Sequence, residues 1–182
     1  KGKVVVGVVS GTTITYGSIY EFNSADTEQI SMCFDPDSGK CIVAYRDQGN
    51  SSYGTCRVLT VSGTTVSMGS EVVFESANVN STSIVYDTGV DRVLIAYNKY
   101  DSNFKGYARA GQVSGTSVAF SAAAARFDTD NTSGYDISNV IASYDTAAGK
   151  TAIFYRGNNQ YLQGIVASIS GTTVSYGTVA NA

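Results

Sequence analysis

Carboxylates at close spacing are the first residues to test for chemistry. Asp35 with Asp37, Asp87 with Asp91 and Asp128 with Asp130 look like acid pairs of the kind that general acid–base hydrolysis uses. Their placement points elsewhere. Asp35, Asp87 and Asp145 each close the same four-residue pattern, Met-Cys-Phe-Asp, Ile-Val-Tyr-Asp and Ala-Ser-Tyr-Asp, where a strand enters a polar turn. An Asp there accepts hydrogen bonds from the backbone just ahead and shapes the turn. An active site should break a repeat, and these residues obey it. Calcium is a second use for such turns, but no loop follows the EF-hand pattern. A glycosidase would need an asymmetric acid cluster, and its candidates, Asp26, Glu28, Asp128 and Asp130, lie in links between repeats.

Other chemistries lack their residues. The chain has no His, so no Ser or Thr has an imidazole base, and no Gly-x-Ser-x-Gly elbow occurs. Cys33, Cys41 and Cys56 form no CxxC, and without His no metal site or cofactor is expected. Cys33 could pair with Cys41 across one hairpin, Cys41 with Cys56 across the next, or all three could be buried thiols. The glycines mark turns and form no phosphate loop.

Three loops carry residues suited to recognition. They run Tyr45-Arg46-Asp47-Gln48-Gly49-Asn50, Tyr97-Asn98-Lys99-Tyr100-Asp101 and Tyr155-Arg156-Gly157-Asn158-Asn159-Gln160-Tyr161, with Tyr45, Arg46, Asp47, Tyr97, Asn98, Lys99, Tyr155, Arg156 and Asn158 as the candidate ligand contacts. An aromatic face with charges and amides around it suits a cell-surface glycan or a protein partner. The alternative is that Tyr45, Tyr97 and Tyr155 pack between repeats. Sequons at Asn50, Asn80 and Asn131 fit surface loops and arise readily in a Ser/Thr-rich chain.

The elements that position these residues follow from the repeat. Ser-Gly-Thr recurs at Ser10, Ser62, Ser114 and Ser170, at spacings of 52, 52 and 56 residues. Gly2, Gly54 and Gly106 precede it by eight residues, with Leu162 in the fourth copy, while Phe22 and Phe74 follow by twelve and Phe127 by thirteen. Between these copies come the Asp-ending strands and then the apolar runs 41–45, 93–97 and 151–155. Each unit therefore reads as a four-stranded antiparallel meander: a strand, an Asp turn, a central apolar strand, a polar loop, a third strand, a Ser-Gly-Thr hairpin and a fourth strand. Units fall at 23–74, 75–126 and 127–182, and residues 1–22 supply the last two strands of another.

A unit of about 50 residues with four strands is the arithmetic of a β-propeller blade. A lone meander leaves a face uncovered, so neighbours must stack on it. Three and a half units do not close a ring of the usual four to eight blades. The half unit leaves a sheet edge to be covered, so self-association, a neighbouring chain or a longer parent chain is expected. The start at Lys1, with no initiator Met or signal pattern, reads as processing, trimming or a piece of something longer.

Net charge is −3 with 15% charged residues and no Lys/Arg stripe, which offers nucleic acid no footprint. No apolar run approaches the roughly 20 residues of a membrane-spanning helix, so no membrane insertion is expected.

The segments 61–74, 82–87, 93–97 and 44–55 together resemble repeats in virion structural and tail-fibre-like proteins of marine bacteriophages, and repeats in long bacterial surface proteins. The resemblance covers essentially the whole chain. It implies an extracellular or virion-surface structural part, often adhesive, with no catalytic residues to carry over. The third unit departs from the pattern, since 122–136 replaces the usual link with a longer one. Three readings follow, in order: a structural or adhesive module of a fibre, capsid appendage or surface filament; a lectin-like propeller binding one glycan per unit; and a propeller glycosidase.

Overall fold

The computed structural model describes residues 1–128, 136–157 and 160–181. Among them the protein is all-β and antiparallel, with one 3-10 turn at Gln48–Asn50. No helix among the described residues is long and apolar enough to cross a membrane.

The chain runs β1 (Gly2–Ser10), β2 (Thr13–Asn23), β3 (Thr27–Asp35), β4 (Lys40–Asp47), β5 (Tyr53–Ser62), β6 (Thr65–Met68) and β7 (Val72–Asp87). It continues through β8 (Arg92–Asp101), β9 (Asn103–Ser114), β10 (Ser117–Ala119), β11 (Ala125–Arg126), β12 (Ser138–Asp145), β13 (Lys150–Arg156), β14 (Leu162–Ser170), β15 (Thr173–Tyr176) and β16 (Ala180–Asn181). In each full unit the first three strands form a meander: β3-β4-β5, β7-β8-β9 and β12-β13-β14.

The fourth strand comes in two pieces. β6 and the first half of β7 both pair with β5, β10 and β11 both pair with β9, and β15 and β16 both pair with β14. β1 and β2 form a two-stranded ribbon alone. Among the described residues no strand pairing joins the last unit to that ribbon. β7 runs through the boundary anticipated between 74 and 75: its first half pairs with β5 and its second half with β8.

Local residue choice explains these elements. The Ser-Gly-Thr hairpins put Gly11, Gly63, Gly115 and Gly171 at φ between +58° and +62°, a conformation Gly adopts without steric cost. The central strands carry β-branched and aromatic side chains; β4 and β8 are buried on both faces, while β13 is buried on one and leaves Phe154 exposed on the other. Ile42 to Tyr45 and Val93 to Tyr97 are fully enclosed.

Three apolar clusters lie between successive units. Val4, Val6, Tyr20 and Phe22 of the ribbon meet Val43, Tyr45 and Leu59. Ile42, Ala44, Cys56 and Val58 meet Ile84, Val93 and Ile95. Leu94, Ala96, Ala108 and Ala110 meet Ala142, Ile153 and Ile165. Side chains alternate along each strand, so each unit sends one set of residues back and the next set forward.

The same ring contact recurs at every junction. The backbone bond from Phe127 to Gly106 places Phe127 with the second unit rather than with 127–182. Phe22, Phe74 and Phe127 then pack on Tyr45, Tyr97 and Tyr155 of the following unit, with centroids 5.2, 5.1 and 5.0 Å apart. Each Phe ring lies over the bare Cα of Gly2, Gly54 or Gly106, where an added Cβ would fall within 2.4 Å of the ring or closer. Glycine at that phase is therefore a space requirement. Gly54→Ala is expected to lower stability by about 1–3 kcal/mol, because the Phe74 ring is pinned by Tyr97 and has nowhere to move. Urea denaturation checks it, and an unchanged midpoint would show that the ring yields.

Candidate functional site

The recognition residues anticipated in the three loops are mostly used inside the protein. The rings of Tyr45, Tyr97 and Tyr155 are buried at the junctions and offer a ligand no aromatic face. The Tyr45 hydroxyl donates to Glu71 at 3.2 Å and the Tyr97 hydroxyl to Glu75 at 2.8 Å. Burial, and then the adjacent carboxylate, push both phenols well above their ordinary range.

Arg46 donates to Glu28 at 3.0 Å and to Ser52 at 3.2 Å, and Asp47 accepts from Asn23 and Gly49, each at 3.0 Å. Asn98 is fully buried. It donates to the Ile137 carbonyl and accepts from the Ser81 N–H, both at 2.6 Å. Lys99 pairs with Glu75 at 3.0 Å and stands 4.3 Å over the Tyr107 ring. Arg156 donates to Gln160. Asn158 lies outside the described residues, as do Asp130 and Asn131.

The described acids proposed for hydrolysis, Asp26, Glu28 and Asp128, are each tied to separate partners. Glu28 is held by Arg46, Asp26 accepts from the Thr27 N–H, and Asp128 accepts from Gly106 and Arg126 in a different link. Among the described residues no three His, Cys, Asp or Glu side chains come together as a metal-ligand group.

The turn acids behave as caps. Asp35 accepts from the N–H groups of Asp37 at 2.9 Å and Ser38 at 3.2 Å. Asp87 accepts from Gly89 at 2.9 Å, and Asp145 from Ala147 at 2.9 Å and Ala148 at 3.2 Å. Burial alone would raise the Asp35 carboxyl. The hydrogen bonds from Ser38 and Asp37 outweigh it and hold the group below its usual range.

The close acid contact is not within either pair read from the sequence but across two units. Asp37 sits beside Asp91 and raises its carboxyl, and the Tyr86 hydroxyl donates to Asp37 at 2.7 Å. These residues, with Asp35, Ser38, Gln112 and Val113, line a shallow polar recess between the units. Asp91 also has φ +55° where Gly39 and Gly149 stand at the same phase of their units.

The three cysteines are free thiols. Cys33 and Cys56 face the junction with the second unit, and Cys41 faces the ribbon, on the other side of the sheet. Neither pairing considered from the sequence puts two cysteines opposite each other in the register. Burial pushes the Cys33 and Cys56 thiols up to about 12.

What the geometry brings together is a set of junction contacts that repeat. Ser31 Oγ accepts from the Ile84 N–H at 3.1 Å, and Ser83 Oγ accepts from the Ala142 N–H at 2.9 Å. Lys40 donates to the Gly115 carbonyl, and Arg92 donates to the Gly171 carbonyl at 3.0 Å. Arg57 donates to the Phe22 carbonyl at 2.5 Å and Arg109 to the Phe74 carbonyl at 2.6 Å. The repeat phase contained this signal, since each pair is one unit apart, but periodicity does not reveal which neighbour a polar side chain reaches. Compared with protein-family models, with curated proteins and with solved structures, the chain matches none.

Two outcomes follow. The stabilisation from Asp35 is fully present above the ordinary carboxylate pKa of about 3.9 and is lost as pH falls through its lower folded value. Asp35→Asn is therefore expected to cost stability at neutral pH, with the gap to the parent protein closing as pH falls from the ordinary carboxylate value through the lowered folded one. Thermal melts across that range check it, and a gap independent of pH would assign the loss to geometry instead. Asp91→Gly is expected to raise the melting temperature, because it removes a left-handed non-glycine residue and the carboxylate facing Asp37. A lower melting temperature would overturn that.

Proposed function

We propose that the chain is a non-catalytic structural and adhesive module of a virion fibre, a capsid appendage or an extracellular surface filament, its units acting as propeller-type blades that associate with neighbouring chains. The carrying observation is that both ends of the row expose apolar side chains at repeat positions buried at the internal junctions. On the last unit Phe154 and Val166 are exposed, and their counterparts Ala96 and Ala110 are enclosed against that unit. On the ribbon Ile14 and Tyr16 are exposed, and their counterparts Val118 and Phe120 pack in the junction between the first two full units.

One face is of the forward kind and the other of the backward kind. A second copy docked end to end would place each against its natural complement. Such a contact is heterologous and propagates unless the rotation closes it. Lys150 stands at the phase of Lys40 and Arg92, and Gly11 at the phase of Gly115 and Gly171, so the cation-to-hairpin contact has both its members at the two ends. The burial of Tyr45, Tyr97 and Tyr155 takes those three rings out of a glycan-binding surface, and leaves Tyr100 and Tyr161 as the exposed aromatics of these loops.

Electron microscopy with mass measurement tests the reading. Rows or fibres of end-to-end copies are expected, and Phe154→Glu should reduce them to single chains at the same concentration. Discrete single chains at high concentration, unaffected by Phe154→Glu, would overturn it.

A further inference from the structure

We infer that the tip of the β8–β9 hairpin is a carbohydrate-binding platform, which takes a neutral pyranose chain with equatorial hydroxyls against Tyr100 and Phe104. The residues that hold the row together recur from unit to unit, and this aromatic pair does not. Gln48 and Asn158 stand at the phase of Tyr100, and Ser52 and Gln160 at that of Phe104. In the first unit strand pairing stops at Asp47 opposite Tyr53, and the 3-10 turn closes the hairpin. In the second unit it runs two pairs further, with Tyr100 opposite Phe104 and Asp101 opposite Asn103.

Alternation along the strand separates these rings from the junction behind them. Tyr97 and Lys99 turn back to Phe74 and Glu75. Tyr100 and Phe104 share the opposite face with Asn98 and Gly106. There Phe127 and Ile137 cover Gly106. The aromatic pair lies one cross-strand position beyond that cover, and Tyr100 is 56% exposed. The two rings meet at 68° with centroids 5.6 Å apart, so Phe104 braces the exposed ring.

A carboxylate is fixed beside the rings. Asp136 accepts from the Phe104 N–H at 2.6 Å, and the Ile137 N–H donates to the Phe104 carbonyl at 3.0 Å. Asp136 is exposed, and a carboxylate has acceptor sites beyond the one this bond uses. Asp101 is exposed at the hairpin tip. A pyranose with equatorial hydroxyls carries axial C–H groups on its flat faces, which an aromatic face attracts, and its hydroxyls donate to a carboxylate. An acidic sugar would be repelled by Asp101 and Asp136. An apolar protein segment would stack on the rings but strip water from these carboxylates without returning hydrogen bonds.

The platform rests on the adhesive half of the proposed reading and names its ligand class. The test titrates the full chain with cellotetraose, xylotetraose and chitotetraose, with the β-1,4-linked glucuronic acid tetramer as the acidic counterpart, and reads saturation-transfer NMR. Saturable transfer to at least one neutral chain is expected, strongest at its axial ring protons, with none to the acidic one. Tyr100→Ala should weaken that affinity about tenfold or more, and Tyr100→Phe should keep it within about threefold. Tyr16→Ala, on an exposed ring of the ribbon, should leave it unchanged. Tyr100 is exposed, so its variants should fold, and their melting curves verify that. Saturable binding to none of the neutral chains, equal binding to the acidic chain, or binding indifferent to Tyr100→Ala would each overturn the inference. The microscopy reads assembly, and it fails or succeeds independently of sugar binding.

Discussion

Everything in the row depends on one contact between neighbours, a phenylalanine clamped between its own unit's glycine and the next unit's tyrosine. Gly2, Phe22 and Tyr45 make the first such stack, Gly54, Phe74 and Tyr97 the second, and Gly106, Phe127 and Tyr155 the third. The glycine lets the ring lie flat on the sheet, and the tyrosine caps it from the unit ahead. An aromatic pair of this kind contributes about 0.5–1.5 kcal/mol beyond the area it buries. Its larger effect is geometric. The position of each sheet relative to the last is fixed by a rigid ring on each side, and the polar contacts from Ser31, Ser83, Lys40 and Arg92 fall into register around it.

The repeat was legible because its devices are local. A Ser-Gly-Thr turn needs its glycine at positive φ, and an Asp at a strand end needs only the backbone two or three residues ahead. Both are properties of a short segment, and both appear where the phase put them. The central strands were legible too, since a run such as Val-Leu-Ile-Ala-Tyr has no polar face to give to water. What the sequence hides is which side of a sheet a residue finds covered. Tyr45, Tyr97 and Tyr155 adjoin polar loops and carry hydroxyls, as a recognition surface would, yet each ring turns into a junction. Asp37 meets Asp91 because two turns from different units lie side by side, a fact no spacing within either turn contains. The two-piece fourth strand was missed for a related reason: β6 and the start of β7 look like a strand followed by a link, and only the shared partner β5 unites them.

The ends of the row are unlike each other and unlike the middle. The last unit gives up the junction arginine, since Ile165 stands at the phase of Arg57 and Arg109, and it fills that space with an apolar side chain instead. It also carries Phe154 and Val166 outward, where the middle units use small or enclosed residues. At the other end the ribbon covers only part of the first unit and leaves Met32 and Phe34 in view. Such asymmetry gives the row a direction.

β7 gives the first two full units an unusual mechanical relation. Its 16 residues serve as the last strand of one sheet and the first of the next. Where a flexible loop joins two sheets, one can be pulled open while the other holds. Here the hydrogen bonds that anchor β7 to β5 and those that anchor it to β8 lie along a single extended backbone. A pull along β7 itself would load both sets of bonds through one backbone, with no slack loop between them.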